Sequence, residues 1–266
     1  MAFSIKGKTA IVTGAADGIG LAIARHLADR GANVMAADMN EKKLIEELGS
    51  EPEDGNIRVF AGDLRQRLTI ANLISATIDA YDQVDILVNA SRQVMVTDAL
   101  DMEDTSVSTL LDQNLMTALT LSQLVAKRMM KQAEKQADGQ VGAIVNLSSI
   151  AARQTRPDLM GYAIAAAAVQ QMTRSMAMVL AEHRIRVNAI AFGSVMSASL
   201  RTAVAENREW RDDIRQNTPL GRIAAPTELC ETVQFLAAES SSFMTGEVIT
   251  VDGGRSLLDV VASPAH

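Results

Sequence analysis

Seven short aliphatic and β-branched runs recur along the chain, at 9–12, 33–36, 57–60, 86–88, 143–146, 186–190 and 248–251. Longer stretches with helical spacing of their apolar positions lie between them, at 20–30, 41–48, 69–81, 106–136, 162–182 and 227–238. Most of the short runs are continuously apolar, the pattern of parallel strands covered on both faces. Strand–helix alternation of this length implies right-handed crossovers, and so an α/β fold with a doubly wound sheet. No linker, repeat or low-complexity tract divides the 266 residues, which suit one domain with a sizeable core. The polar stretch 132–140 reads as the exposed end of a long helix and its loop. Residues 201–217 are charged around a lone Trp210 and break the alternation. They read either as an insertion over the site, in a substrate loop at about 194–217, or as a solvated surface helix.

Charge and composition exclude several function classes. Net charge is −7 and no block of like charge stands out, which argues against nucleic acid or an anionic membrane as partner. No apolar run reaches the roughly 20 residues of a membrane span. The first residues, Met1-Ala2-Phe3-Ser4-Ile5-Lys6, lack the apolar core of a signal peptide. The single cysteine, Cys230, cannot form an intrachain disulfide, so a reducing, cytoplasmic compartment is expected. Its apolar helical context makes it a core residue in preference to a nucleophile. His26, His183 and His266 are scattered, and no metal site is expected.

The first strand runs into Thr13-Gly14-Ala15-Ala16-Asp17-Gly18-Ile19-Gly20, which opens the first helix. Glycines here let the backbone turn tightly and approach a pyrophosphate resting on the helix N-terminus. The strand–turn–helix context is what gives the motif its meaning. Asp38 follows the second run, where a carboxylate accepts hydrogen bonds from the adenosine ribose hydroxyls and repels a 2′-phosphate. Asp17 adds a second negative charge, and no basic residue stands at either position, so NAD(H) is expected over NADP(H). Asp63 suits either the adenine amino group or a helix N-cap.

Over essentially its full length the chain resembles the short-chain dehydrogenase/reductase family. The likeness rests on the Thr13-to-Gly20 loop, Asp63, Asn114, Asn146-Leu147-Ser148-Ser149, Tyr162, Asn188 with Gly193, Pro219-Leu220-Gly221-Arg222, Thr245-Gly246 and Val251-Asp252-Gly253-Gly254. The resemblance implies a seven-stranded Rossmann sheet in one domain, with helices on both faces, and a homotetramer or homodimer. It implies hydride exchange between a nicotinamide cofactor and a secondary alcohol or ketone. It casts Ser149 as the donor to the substrate oxygen, Tyr162 as general acid/base, and Asn114 as the residue that holds a water at a helix kink. Gly14, Asp17, Gly18, Ile19, Gly20, Asp38, Asp63, Leu64, Asn89, Tyr162, Val195 and Ser197 make up the implied NAD-binding set.

Several positions depart from the family pattern, Ser197 for a threonine among them. Lysine belongs four residues after Tyr162, and Ala166 stands there, among Ala165, Ala167 and Ala168. In the family that lysine holds the nicotinamide ribose and favours the tyrosinate; an unperturbed phenol is only about 0.1% ionised at pH 7. Arg153, Arg156 and Arg174 lack the helical spacing that would put them beside Tyr162. The Asn-Asn-Ala-Gly after strand four appears as Asn89-Ala90-Ser91-Arg92, which puts a bulky cation at the cofactor's edge or the pocket mouth. The Pro-Gly after strand six appears as Phe192-Gly193. Three readings of Ala166 compete: a deliberate replacement that traps a ligand, a natural variant with slow or altered chemistry, and a non-catalytic NAD(H)-binding or interaction protein. The changes at 92 and 192 weigh against the first. Met95, Met160, Met196 and Trp210 suit a hydrophobic or cyclic alcohol. Arg92, Arg153 and Arg156 suit an anionic substrate if they point inward.

Overall fold

The computed structural model describes residues 3–49, 55–134 and 138–259. Its strands are β1 (Thr9–Thr13), β2 (Asn33–Asp38), β3 (Ile57–Ala61), β4 (Ile86–Asn89), β5 (Gly142–Ser149), β6 (Ile185–Phe192) and β7 (Val248–Val251). They form one parallel sheet in the order β3-β2-β1-β4-β5-β6-β7. Each of the seven sequence runs lies inside one strand. The helices are α1 (Gly18–Asp29), α2 (Glu41–Leu48), α3 (Arg67–Tyr81), α4 (Ser106–Leu110), α5 (Thr117–Ala133), α6 (Met160–Leu180), α7 (Ala198–Glu206), α8 (Arg208–Gln216) and α9 (Thr227–Ala237).

Strand β1 shows why the runs are continuously apolar. Successive side chains point to opposite faces, and both faces are covered. Ala10 and Val12 pack in a cluster with Ile23 and Leu27 of α1 and Leu229 and Val233 of α9. Ile11 packs in a second cluster with Leu73 of α3, Leu121 and Val125 of α5, and Leu180 of α6. The chain lays β2 and β3 on one side of β1 and then returns to place β4 on the other. Loops leaving the carboxyl ends of β1 and β4 diverge at that reversal, which opens a crevice.

Two segments differ from the sequence reading. The predicted helix 106–136 is divided: α4 and α5 flank a π-helical turn, Leu111–Met116, that contains Asn114. Asn114 Nδ2 donates to the Gln93 carbonyl and Gln93 N donates to Asn114 Oδ1, both at 2.8 Å. A wider turn with a buried polar side chain bonded twice to another backbone is the local form that such a bulge takes. Residues 135–137 of the adjoining polar stretch lie outside the described residues. In 201–217 the chain forms α7 and α8, separated at Asn207 by extended backbone. No side chain of α8 is buried, and Trp210 is 53% exposed.

Cys230 is fully buried in α9, and burial pushes its thiol up to about 12. Burial likewise pushes the Tyr81 hydroxyl up to about 12. Both groups are held neutral by the fold but ionise at their ordinary values once unfolded. The stability they contribute is therefore full below pH about 9 and is lost as pH rises toward about 12. A thiol reagent at pH 8 is expected to label Cys230 in denaturant and to leave the native chain unlabelled, because the thiolate is the reactive form. Native labelling at the rate of a free cysteine would contradict this burial.

Candidate active site

The crevice begins where β1 ends. Thr13 Oγ1 accepts from Ala90 N and Ser91 N, both at 3.0 Å, and so clips the loop after β4 to the loop after β1. Gly14 takes φ of 67°, and a Cβ there would lie 2.9 Å from Ser91 Cα. Gly20, in the first turn of α1, sits so close to the Gly14 carbonyl that a Cβ would collide with it. These glycines bring helix, loop and neighbouring loop into backbone contact, and they leave the helix N-terminus facing the crevice. The crevice has a volume of about 700 Å³ and is lined by Gly14, Asp17, Gly18, Ile19, Gly20, Asp38, Asp63, Leu64, Ser91, Arg92 and Ser197, among others. That volume suits a dinucleotide-sized ligand.

The acids of the crevice are not equivalent. Asp17 caps α1 through Gly18 N and pairs with Lys43. Arg65 meets Asp63 through two nitrogens and holds its carboxyl below the usual range. Asp63 is not the N-cap of α3, a position that Gln66 occupies. Asp38 is met by backbone amides, from Ala16 at 3.2 Å and Asn40 at 3.0 Å. Among the described residues it is the crevice carboxylate without a side-chain cation.

Three residues of the NAD-binding set lie elsewhere. Asn89 is buried and donates to Ser122 Oγ at 3.0 Å and Asn146 Oδ1 at 2.8 Å, with Ala90 lining the crevice in its place. Val195 is buried and bridges to Ala224. Tyr162 faces a second, smaller cavity of about 20 Å³, roughly room for one water. That cavity is also lined by Asn114, Ser148, Ala166, Val169 and Arg92.

Ser149 ends β5, where its Oγ accepts from Ala151 N at 3.1 Å and caps a short 3-10 turn. Tyr162 sits in the first turn of α6, 7% exposed, packed on Leu110, Ala165, Ala151 and Leu159. The two elements are tied below the site. Ser148 Oγ donates to the Ala166 carbonyl at 3.0 Å, and Gln170 Nε2 donates to Ser148 Oγ and to the Ser149 carbonyl. Asn146 donates to Thr173 Oγ1 at 2.9 Å. Sequence reasoning passed over Gln170 and Thr173; their signal is two polar side chains three apart on an otherwise apolar helix face.

Arg92 lines both the crevice and the small cavity, at the edge where the sequence put it. Its Nη1 donates to the Tyr162 hydroxyl at 2.7 Å, and its guanidinium carbon lies 4.5 Å from the centre of the Phe192 ring. Arg156 pairs with Asp158, and Arg153 is exposed. Met95 packs against the cluster that Tyr162 forms with Leu110 and Ala165. No described helix is long and apolar enough to cross a membrane.

A family model described as Enoyl-(Acyl carrier protein) reductase matches residues 14–256. The 3-oxoacyl-(acyl-carrier-protein) reductase FabG of Thermotoga maritima is 32% identical over 254 residues, spanning 94% of this chain and 98% of the relative. A solved 7α-hydroxysteroid dehydrogenase in complex with NADH and 7-oxo glycochenodeoxycholic acid is similar with a TM-score of 0.86 and 29% identity, covering 95% of this chain and 96% of the other. A gluconate 5-dehydrogenase from Burkholderia cenocepacia in complex with NADP and tartrate is similar with a TM-score of 0.85 and 28% identity, covering 97% of this chain and 98% of the other.

Proposed function

Because the chain belongs to the short-chain dehydrogenase/reductase family, we propose that it is an NAD(H)-dependent oxidoreductase that interconverts a secondary alcohol and a ketone. The observation that carries the cofactor half of this reading is Asp38, a carboxylate in the crevice bonded by backbone amides and unpaired with a cation. A 2′-phosphate beside it meets like charge, whereas ribose hydroxyls meet an acceptor. Gly14, Gly18 and Gly20 hold the pyrophosphate, and Ser197 lines the crevice beside Gly18. The bound cofactor supplies or accepts the hydride. Ser149 donates a hydrogen bond to the substrate oxygen and stabilises charge there. Tyr162 gives its proton to the carbonyl oxygen in reduction and receives one in oxidation. Asn114, fixed in the π turn, holds the backbone beside the small cavity behind Tyr162.

Ala166 favours a second reading on the same fold, a non-catalytic NAD(H)-binding or interaction protein. It leaves a methyl group where the family places a lysine. The cytoplasm as compartment and a homodimer or homotetramer as assembly belong to the first proposal. Its substrate pocket has Met95 in the apolar cluster around Tyr162, which favours an apolar or cyclic alcohol; Arg153 and Arg156 turn outward, while Arg92 lines the site and suits an anionic group.

Titration of the purified chain with NADH and NADPH tests the cofactor assignment. NADH is expected to bind at least about tenfold more tightly, a difference of about 1.4 kcal/mol. Asp38→Ser is expected to erase most of that preference. A native preference for NADPH would overturn the role given to Asp38. A broad alcohol and ketone panel tests turnover: tight NADH binding with no activity on any member selects the second reading.

A further inference from the structure

We propose that Arg92 is a positioning residue that supplies to Tyr162 the positive charge which Ala166 does not, held in place by the ring of Phe192. The proposal rests on the oxidoreductase reading for its consequence in turnover, but not for its effect on Tyr162 itself. Among the departures from the family pattern, those at 92, 166 and 192 are brought to one point by the fold. Arg92 lines the small cavity together with Tyr162 and Ala166, and its guanidinium lies over Phe192.

A guanidinium has donors only, so in the 2.7 Å contact the phenolic oxygen is the acceptor. The phenol's own proton is thereby left to point elsewhere, toward a substrate oxygen. When that proton moves to a carbonyl oxygen and hydride arrives at the carbonyl carbon, the alcohol is complete and a phenolate remains. A charge-assisted hydrogen bond from Arg92 strengthens as that charge appears. Stacking on the Phe192 face holds the planar head group without neutralising it. Among the described residues no acid pairs with Arg92. Met95, Leu110, Leu111, Ala151 and Leu159 make up the apolar cluster around Tyr162, and all are uncharged. The charged groups of the neighbouring elements are Asp112 in the π turn, Arg153, and the Arg156–Asp158 pair, none of which lines the cavity. Arg92 also lines the dinucleotide crevice, so one head group borders both compartments.

The test reads Tyr162 directly. The chain has two tyrosines, and the other, Tyr81, is pushed up to about 12. Phenolate absorbance in a Tyr81→Phe background therefore reports Tyr162 in the absence of any substrate. Arg92→Leu is expected to reduce the phenolate present at a given pH by about tenfold or more. Arg92→Lys should keep part of it, and Arg92→Leu combined with Ala166→Lys should restore it. The pH profile of kcat should move in the same order. Coincident titrations of the native and Arg92→Leu chains, both folded by circular dichroism, would overturn the proposal. Phenolate that follows Arg92 with no turnover in any variant would instead remove the oxidoreductase reading and leave the role of Arg92 standing.

Discussion

Tyr162→Phe is expected to lower turnover by about 10²–10⁴-fold while leaving the affinity for NADH within about twofold. A positioned proton donor contributes on that order, and the substitution deletes only the oxygen that carries the proton. The ring remains wedged among Leu110, Ala151, Leu159 and Ala165, so the packing that orients α6 is unchanged. Arg92 loses its acceptor, but it is exposed and rehydrates, so the cost to stability stays near about 1 kcal/mol. Steady-state kinetics paired with calorimetric titration of NADH separate the two quantities. Unchanged kcat would remove Tyr162 from the proton transfer; lost NADH binding would mean that the hydroxyl, not the ring alone, holds the cofactor.

Gly20→Val is expected to cut dinucleotide affinity by at least about 100-fold and to lower the melting temperature. The added side chain would collide with the Gly14 carbonyl, a backbone atom that cannot rotate away. Gly14 has no room to retreat, since it already lies against Ser91. The clash therefore spreads into the loop after β4, which Thr13 fixes through Ala90 N and Ser91 N. Overpacking of this kind costs about 1–3 kcal/mol even where side chains can give way. Here the displaced atoms are the ones that line the crevice. Titration with NADH and thermal unfolding check the two effects, and native-like affinity in the variant would show that the loop does not cradle the pyrophosphate.

The strands were legible because burial on both faces writes itself as an unbroken apolar run, as at Ala10-Ile11-Val12. The glycine loop was legible because Gly14 and Gly20 answer to backbone contacts that no other residue tolerates. The π turn was hidden from the apolar spacing, although the resemblance implied a helix kink at Asn114. One extra residue in a helix leaves the spacing of apolar positions nearly intact, and its cause, the Gln93 backbone, lies 21 positions away. Asp63 read as either an adenine acceptor or a helix cap; its position before α3 suits a cap, yet Arg65 engages its carboxylate instead. Arg92 stood out as a departure, but a long side chain at a loop can reach many partners. Its contact with Tyr162, 70 positions on, is a property of the fold.

The π turn also restricts how this chain can change in length. Each residue of an α-helix advances the direction of its side chains by about 100°. Deleting one residue from Leu111–Met116 would close the bulge into ordinary helix and turn one flank against the other by about that angle. Either Asn114 would swing off the Gln93 backbone, or Leu121, Val125 and Met129 would leave the core face of the sheet. Neither end of the helix can absorb the shift, since α4 packs on α6 and α5 lies against the β-strands. Single-residue insertions and deletions, which exposed loops accept readily, are therefore closed to this stretch, and substitutions are the route by which it can diverge.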